Sequence, residues 1–195
     1  MLLVTPIAVV AASLTDRQGE RTGEQVREPA GAERRFAQSE PFKTFHRYEN
    51  FDLTSSPFRQ IDLATYDECE QACSEASSCT AYTFDEWNRL CFLKDQAGDL
   101  LLNARSVSGV LEQEDQPSRS NRVVEVEIFR NRSFADTGYV ARPAGSYKQC
   151  IAVCEADEYC FTFTHVSSKN ECRMYERSGE YYPRKGYISG AKRQN

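Results

Sequence analysis

The chain has 195 residues and a formal net charge of -5, with eight cysteines and only two histidines. The acidic balance argues against a general nucleic-acid-binding protein, because such proteins need a surplus of Lys and Arg to contact phosphates. Two histidines are too few for zinc sites of the Cys/His type, so the cysteine content favours disulfide bonds.

An apolar run opens the chain. Residues 2–12 read LLVTPIAVVAA, which is too short to span a bilayer as a helix but resembles the core of a signal peptide. We therefore predict a secretory signal over residues 1–13, although no Lys or Arg precedes the run. The alternative is a hydrophobic start without a targeting role. No other stretch approaches membrane length, so we expect no transmembrane segment.

A polar segment follows at residues 14–42, rich in Glu, Arg, Gln and Gly. Such a segment buries too little apolar surface to offset the entropy lost on ordering, so we predict a disordered linker. The pair Arg34–Arg35 is interpreted as part of a solvated tether rather than as a processing site.

Two segments of the chain repeat each other. Both sets of four cysteines have the spacing C-x3-C-x5-C-x11-C, and the second set lies 81 residues after the first. The cysteines are Cys69, Cys73, Cys79 and Cys91 in the first unit, and Cys150, Cys154, Cys160 and Cys172 in the second. We therefore predict two modules, at residues 43–111 and 124–192, joined by a polar linker at residues 112–123.

Each module has the same order of predicted elements. The capping signatures T-x-x-E at Thr65 and S-x-x-Q at Ser146 predict a helix that carries the first two cysteines. Alternating aromatic and β-branched residues predict strands over residues 80–84 and 161–164. A polar turn, a strand opened by the fourth cysteine and a terminal strand follow in both units. The expected fold class is α+β, with one helix packed on an antiparallel sheet in each module.

The cysteine spacing constrains the disulfide pairing only in part. The i, i+4 spacing places Cys69 and Cys73 on one face of the first helix, and the second helix repeats this arrangement. Both side chains then point towards the sheet. This leaves a nested pairing, first to fourth and second to third, or a crossed one, and spacing does not choose between them. A zinc site is disfavoured because eleven residues separate the last two cysteines.

The strands next to the last two cysteines of the first module have a distinctive sequence. They read Ala81-Tyr82-Thr83-Phe84 and Cys91-Phe92-Leu93-Lys94. Together with the C-x3-C helix and the third cysteine, they resemble the PAN/Apple family. The second module keeps its four cysteines and Phe161-Thr162-Phe163, but has Arg173-Met174-Tyr175 in place of Phe-Leu-Lys. The resemblance covers both repeats.

The resemblance implies a structure and a function for both modules. It implies two tandem small disulfide-stapled modules of the α+β class, each with a helix on a curved antiparallel sheet. It implies the nested bonds Cys69–Cys91, Cys73–Cys79, Cys150–Cys172 and Cys154–Cys160. Because the extra cysteines of the longer apple subtype are missing, the chain is similar to the shorter PAN type. Such modules are extracellular or periplasmic adhesion modules that bind proteins or carbohydrates, and they carry no catalytic residues.

Basic and aromatic residues near the C-terminus are the candidate ligand contacts. They are Arg184, Lys185, Lys192, Arg193, Tyr181, Tyr182 and Tyr187. This combination suits a sulfated or acidic glycan, because cations pair with anions and tyrosine faces stack on sugar rings. The alternative is a solvated tail whose tyrosines cover a small core. Trp87, the single tryptophan, falls in a predicted turn and is either an anchor for a partner or part of the packing.

Catalytic motifs are missing from the sequence. We interpret His165, which aligns with Phe84, as a half-buried or edge residue, with a pH-sensitive ligand contact as the alternative, and His46 as exposed. With all eight cysteines paired, no thiol remains as a nucleophile, and the sequence has no phosphate loop and no H-E-x-x-H motif. We therefore expect neither an enzyme nor a bound cofactor or metal.

A single N-glycosylation sequon occurs in the sequence, at Asn131-Arg132-Ser133. It lies shortly after the predicted start of the second module. This sequon is relevant to glycosylation only if the protein comes from a eukaryotic source.

The two modules differ in charge. Residues 43–110 contain six Lys and Arg against eleven Asp and Glu, whereas residues 124–195 contain eleven against nine. Their net charges are therefore -5 and +2. This difference suggests separate partners, mutual docking of the modules, or weak self-association through unlike charges.

These observations favour a secreted, non-enzymatic protein, extracellular or periplasmic, that binds a protein or a carbohydrate ligand through its modules. The alternative is an accessory region, for targeting or regulation, of a larger secreted enzyme such as a protease. A protease-like domain in the adjoining reading frame would distinguish the second hypothesis from the first.

Overall fold

The computed structural model describes residues 43–63, 65–134 and 137–195. The predicted signal at residues 1–13 and the predicted linker at residues 14–42 lie outside the described residues. Over the three described ranges, no helix is long and apolar enough to cross a membrane.

The first module is an antiparallel sheet with one helix. Its elements are β1 (Phe45–Leu53), β2 (Arg59–Asp62), α1 (Tyr66–Glu75), β3 (Ala81–Asp85), β4 (Leu90–Lys94) and β5 (Leu100–Leu111). The strands lie in the order β2–β4–β3–β5–β1, and every neighbouring pair is antiparallel. The helix packs on the face formed by β3 and β4.

The second module repeats this architecture. Its elements are β6 (Val124–Phe134), β7 (Val140–Pro143), α2 (Tyr147–Glu155), β8 (Thr162–Val166), β9 (Glu171–Tyr175) and β10 (Tyr181–Gln194). The strand order is β7–β9–β8–β10–β6, again antiparallel throughout. A short 3-10 turn, Ser167–Lys169, joins β8 to β9. The α+β class predicted from the sequence is confirmed in both modules.

The two helices begin at the predicted capping residues but differ in one hydrogen bond. Thr65 Oγ1 accepts from the Glu68 backbone at 3.2 Å, and the Glu68 carboxylate accepts from Thr65 N at 3.0 Å, which completes a capping box. Ser146 Oγ likewise accepts from the Gln149 backbone at 3.3 Å. The Gln149 side chain, however, accepts from Gly145 N at 2.7 Å. The reciprocal bond of the second box is therefore displaced by one residue.

Nested disulfides join each helix to the rest of its module. The bonds are Cys69–Cys91, Cys73–Cys79, Cys150–Cys172 and Cys154–Cys160. The longer bond of each module links the helix to β4 or to β9, and the shorter bond links it to the loop before β3 or before β8. All eight cysteines are buried. They therefore form much of a core that is too small to be stable without such bonds.

A large aromatic ring packs against a glycine in the sheet of each module. Tyr82 pairs with Gly109 of β5, and Phe163 pairs with Gly190 of β10. Both rings are fully buried. A Cβ atom at Gly109 would lie 2.3 Å from the Tyr82 ring, and one at Gly190 would lie 2.4 Å from the Phe163 ring. These two positions therefore require glycine for the close approach of ring and backbone.

The linker predicted at residues 112–123 runs along the first module. Leu100 N donates to Ser118 O at 2.9 Å, and Ser120 N donates to Leu100 O at 2.8 Å. The Gln194 side chain of β10 donates to Ser120 O at 3.2 Å and to Arg122 O at 2.6 Å. Backbone hydrogen bonds therefore fix the path of the linker between the modules.

Candidate binding surfaces

Trp87 lies at the contact between the two modules. It occupies the turn between β3 and β4, and its ring stacks on Tyr181 of β10 with centroids 4.4 Å apart and an interplanar angle of 5°. Phe129 contacts the indole edge-on at 4.9 Å, and Phe134 lies at 5.7 Å. The structure thus brings Trp87 and Tyr181 together in an intramolecular contact. Of the two interpretations offered by the sequence, packing describes the environment of Trp87.

Unlike charges of the two modules meet beside this aromatic cluster. Arg177 of the second module lies 3.1 Å from Glu49 and 3.6 Å from Glu86 of the first. The Ser178 hydroxyl donates to the Glu86 carboxylate at 3.2 Å. Burial raises the pKa of Glu86, and the Arg177 guanidinium partly opposes this. The two modules therefore contact each other partly through ion pairs between their unlike charges.

The two sheets also join through β5 and β10. Asn103 and Arg193 form an antiparallel register pair, which makes the strands of both modules one continuous sheet. Glu127 of β6 lies 3.7 Å from Arg105 and accepts a 3.0 Å hydrogen bond from Arg193. Glu127 of the second module thus forms ion pairs with one cation of each module.

The cations predicted to gather near the C-terminus divide into two groups. Arg184 and Lys185 are exposed at a bend of β10. Lys192 and Arg193 lie at the far end of the strand, roughly 20 Å away at the rise of an extended chain. The Lys192 amine donates to Asp157 O at 3.2 Å, and Arg193 is held by its carboxylate partner. The expected single cluster is therefore wrong, because an extended strand separates residues that a compact tail would bring together.

Two arginines of β6 complete the group at the bend of β10. The β6–β10 register sets Arg132 opposite Pro183 and Arg130 opposite Ile188. Both arginines therefore flank the bend at residues 184–187, where the register is interrupted. We call this group the cationic ribbon: Arg130, Arg132, Arg184 and Lys185.

The cationic ribbon contains no acidic residue in its own strand segments. Residues 128–134 and 181–191 contain no Asp or Glu. Within the part of the chain that the structure describes, none of the four ribbon cations forms an ion pair with a carboxylate. Their charges are consequently available to an anionic ligand.

Tyrosine rings order the arginines of the ribbon. The distances from guanidinium carbon to ring centroid are 5.6 Å for Arg130 and Tyr147, 5.0 Å for Arg132 and Tyr181, and 4.4 Å for Arg184 and Tyr187. Such cation–π contacts restrict the side chain without neutralising its charge. Tyr182, next to the bend, is 45% exposed, and its hydroxyl donates to Glu180. The ribbon thus combines ordered cations with an exposed aromatic ring.

A cleft also lies between the modules. It is a cleft of about 500 Å³ whose lining includes Phe51, Arg119, Phe161, Glu155 and Lys192. The Arg119 guanidinium lies 5.1 Å from the centre of the Phe51 ring. Burial lowers the pKa of Lys192, against the opposing effect of nearby carboxylates. Because the lining mixes both signs of charge with aromatic rings, it indicates no single class of ligand.

The two histidines occupy different environments. His165 is 3% exposed, and its Nε2 lies 2.9 Å from Ala144 O. It belongs to β8, which has neighbours on both sides, so the prediction of a half-buried or edge residue is wrong: the alternating pattern did not reveal a central strand. His46 is exposed on β1, as expected. Within residues 43–63, 65–134 and 137–195, no three His, Cys, Asp or Glu side chains group as a metal site.

Sequence reasoning found part of the ribbon and missed the rest. It singled out Arg184, Lys185, Tyr182 and Tyr187, which lie at or beside the bend of β10. It missed Arg130 and Arg132, because their proximity to the bend depends on the pairing of β6 with β10. The motif Arg-x-Arg inside the opening strand of the module was the available signal.

The match to a family model agrees with the two-module architecture. No curated protein sequence matches the chain. Among solved structures, the chain is similar to the two N-terminal apple domains of Toxoplasma gondii microneme protein 4, with 18% identity over 73% of this chain and 86% of that one, and a TM-score of 0.29. The model of the PAN domain family matches residues 43–116 and 125–192. The chain therefore belongs to the PAN domain family, with two modules in tandem.

Proposed function

We propose that this chain is a secreted, non-enzymatic protein that binds an acidic carbohydrate on its cationic ribbon. PAN domains are modules that bind proteins or carbohydrates. Four disulfide bonds are typical of an oxidising compartment, which supports an extracellular or periplasmic location. The choice of an acidic carbohydrate depends on the surface of the second module.

The observation that carries the proposal is that two paired strand segments beside the bend carry four cations without ion-pair partners among the described residues. Arg130 and Arg132 come from β6, and Arg184 and Lys185 come from β10. Sulfate and carboxylate groups of acidic sugars form charge-assisted hydrogen bonds with Arg and Lys. Among the described residues, none of these cations forms an ion pair with a carboxylate. A polyanionic chain that crosses both strands at the bend would therefore contact cations of each strand.

The surroundings of the ribbon also suit a carbohydrate. The exposed ring of Tyr182 provides an apolar face on which a sugar ring can stack. Tyr181, the neighbour of Tyr182 in the chain, is fixed by stacking on Trp87. Because this contact and the tyrosine partners of the arginines hold the site before any ligand arrives, little ordering entropy is lost on binding.

A heparin column tests this function. The wild-type chain should be retained at low salt and released as salt rises, because salt screens the contacts. The variant R184A/K185A should elute at clearly lower salt. The matched control R59A/R142A removes two exposed cations on strands away from the bend and should elute with the wild type. Wild-type protein from a bacterial host in the flow-through at low salt, or an equal loss in the control, would overturn the proposal.

A further inference from the structure

We infer that Asn131 is an N-glycosylation site when the chain is secreted by a eukaryotic cell, and that its glycan covers cations of the ribbon at the bend and weakens binding to acidic carbohydrate. The covering role rests on the proposed function, whereas the modification itself does not. Asn131-Arg132-Ser133 is the one Asn-x-Ser/Thr sequon in the sequence. It coincides with the middle of the only surface assembled above from unpaired cations among the described residues.

The backbone at Asn131 directs this residue outwards. Asn131 has φ 57°, the left-handed region that asparagine tolerates better than most residues. The β6–β10 register is interrupted opposite it, between Pro183 and Ile188. The residue is exposed. A strand irregularity thus presents the sequon asparagine on the surface although it lies within a strand.

The side chain of Asn131 is oriented by the bend of β10. Gly186 N donates to Asn131 Oδ1 at 3.2 Å. This bond uses the carbonyl oxygen of the amide and leaves Nδ2, the atom that carries a glycan, outside the contact. An N-linked glycan would preserve the bond, because the modified amide keeps its oxygen. The folded protein can therefore carry the sugar at this position without repacking.

The hydroxyl of the sequon indicates when the modification occurs. Ser133 is 3% exposed in the fold, and its hydroxyl donates to Phe134 O at 3.0 Å. A transferase that must contact this hydroxyl has access only before the β6–β10 ladder closes. We therefore place the modification on the unfolded chain during secretion.

The reaction requires a lipid-diphosphate-linked oligosaccharide as the sugar donor. Asn131 Nδ2 attacks the anomeric carbon of the first N-acetylglucosamine, and a C–N bond forms while the C–O bond to the diphosphate breaks. The lipid diphosphate leaves with the electron pair, and the amide proton passes to a base of the transferase. No oxidation or reduction takes place, so the step balances with these reactants.

The position of the glycan determines its effect. Arg130 and Arg132 flank Asn131 in the chain, and Arg184 and Lys185 lie across the ladder. A branched oligosaccharide attached at Asn131 therefore stands next to Arg130 and Arg132 in the chain and beside the bend that carries Arg184 and Lys185. It blocks the approach of a polyanionic chain sterically, and it adds no positive charge in compensation.

Secretion from a eukaryotic host, followed by intact-mass measurement, tests the modification. The wild-type chain and S133T, which keeps the sequon, should carry an added glycan mass. S133A and N131Q should not. A free-thiol assay on each variant would verify that all four disulfides have formed and that folding is preserved.

Heparin elution of the same samples tests the covering role. Wild-type protein and S133T should elute at lower salt than S133A. Enzymatic trimming of the glycan to a single N-acetylglucosamine should move the wild type towards S133A. This comparison separates a steric effect of the glycan from an effect of the substitution.

Each failure has a distinct signature. Wild-type protein without an added mass would overturn the modification. A glycosylated chain that elutes with S133A would overturn the covering role while the modification stands. If S133A itself passes through the column at low salt, the proposed function fails, and the covering role fails with it, whereas the mass result still decides the modification.

Discussion

Trp87 of the first module stacks on Tyr181 of the second, with ring centroids 4.4 Å apart and planes within 5° of parallel. The two residues lie in a turn of one module and at the start of the last strand of the other. Aromatic pairs of this geometry contribute beyond the area that they bury. The contact therefore fixes one module on the other, and it positions the strand that carries the bend of the ribbon.

Removal of the indole should weaken the docking of the modules. We expect W87A to lower the free energy of unfolding by about 2–3 kcal/mol, because it removes the stack and the contacts with Phe129 and Phe134. W87F should lower the free energy of unfolding by less, since it keeps an aromatic ring. It also removes the indole N–H, which is buried without a hydrogen-bond partner. Urea denaturation measures both. An unchanged free energy in W87A would contradict a stabilising role.

The glycines beneath the central rings should not tolerate a methyl group. We expect G109A and G190A each to destabilise the fold by about 1–3 kcal/mol, because the new Cβ would overlap the ring of Tyr82 or of Phe163. G145A is the matched control, since its Cβ would meet only the Gln149 side chain, at 3.4 Å. Thermal denaturation of the three variants distinguishes these cases. Equal melting temperatures would show that the rings can move aside.

Glu86 should make stability depend on pH in a definite direction. Burial is the main cause that raises its folded pKa, so the neutral form is favoured in the folded state. Its contribution to stability is present below the unfolded pKa and is lost as pH rises through the folded pKa. Between mildly acidic and neutral pH, the wild type should therefore lose stability relative to E86Q. Urea midpoints of both proteins across this range test the sign, and an opposite trend would show that the Arg177 pair dominates.

The two disulfides of a module should contribute unequally to the free energy of unfolding. The Cys69–Cys91 bond closes a sequence separation of 22 residues and the Cys73–Cys79 bond one of 6. The chain-entropy model then predicts that the free energy of unfolding falls by about 3 kcal/mol in C69A/C91A and by about 2 kcal/mol in C73A/C79A. Denaturant unfolding of the two double variants compares them. A larger loss in C73A/C79A would mean that packing around the shorter bond outweighs chain entropy.

Much of the local structure was predictable from short-range patterns. The helices begin at Thr65 and Ser146 because a capping side chain bonds to a backbone group only three residues away. The strand of Tyr82 followed from alternation within five residues. Interactions between residues this close in the chain can be predicted from the sequence alone. The displaced bond of Gln149 shows the limit, since the residue type predicted an acceptor but not its partner.

The candidate site was predictable only in part. Arg184 and Lys185 stood out as adjacent cations beside tyrosines. Lys192 and Arg193 stood out equally, yet they lie at the other end of an extended strand and are held by other groups. The composition near a terminus shows which residues are present. It does not predict whether the chain between them is extended or folded back.

The eight cysteines, their repeated spacing and the periodicity around them determined by themselves that this chain has two α+β modules, because the interactions that form helices and strands are local. Only the tertiary structure decided what the modules do to each other. Trp87 stacks on Tyr181, and the β6–β10 register sets Arg132 opposite Pro183 beside the bend, although these residues are far apart in the chain. Such contacts depend on register and on the packing of whole sheets, which no local spacing encodes.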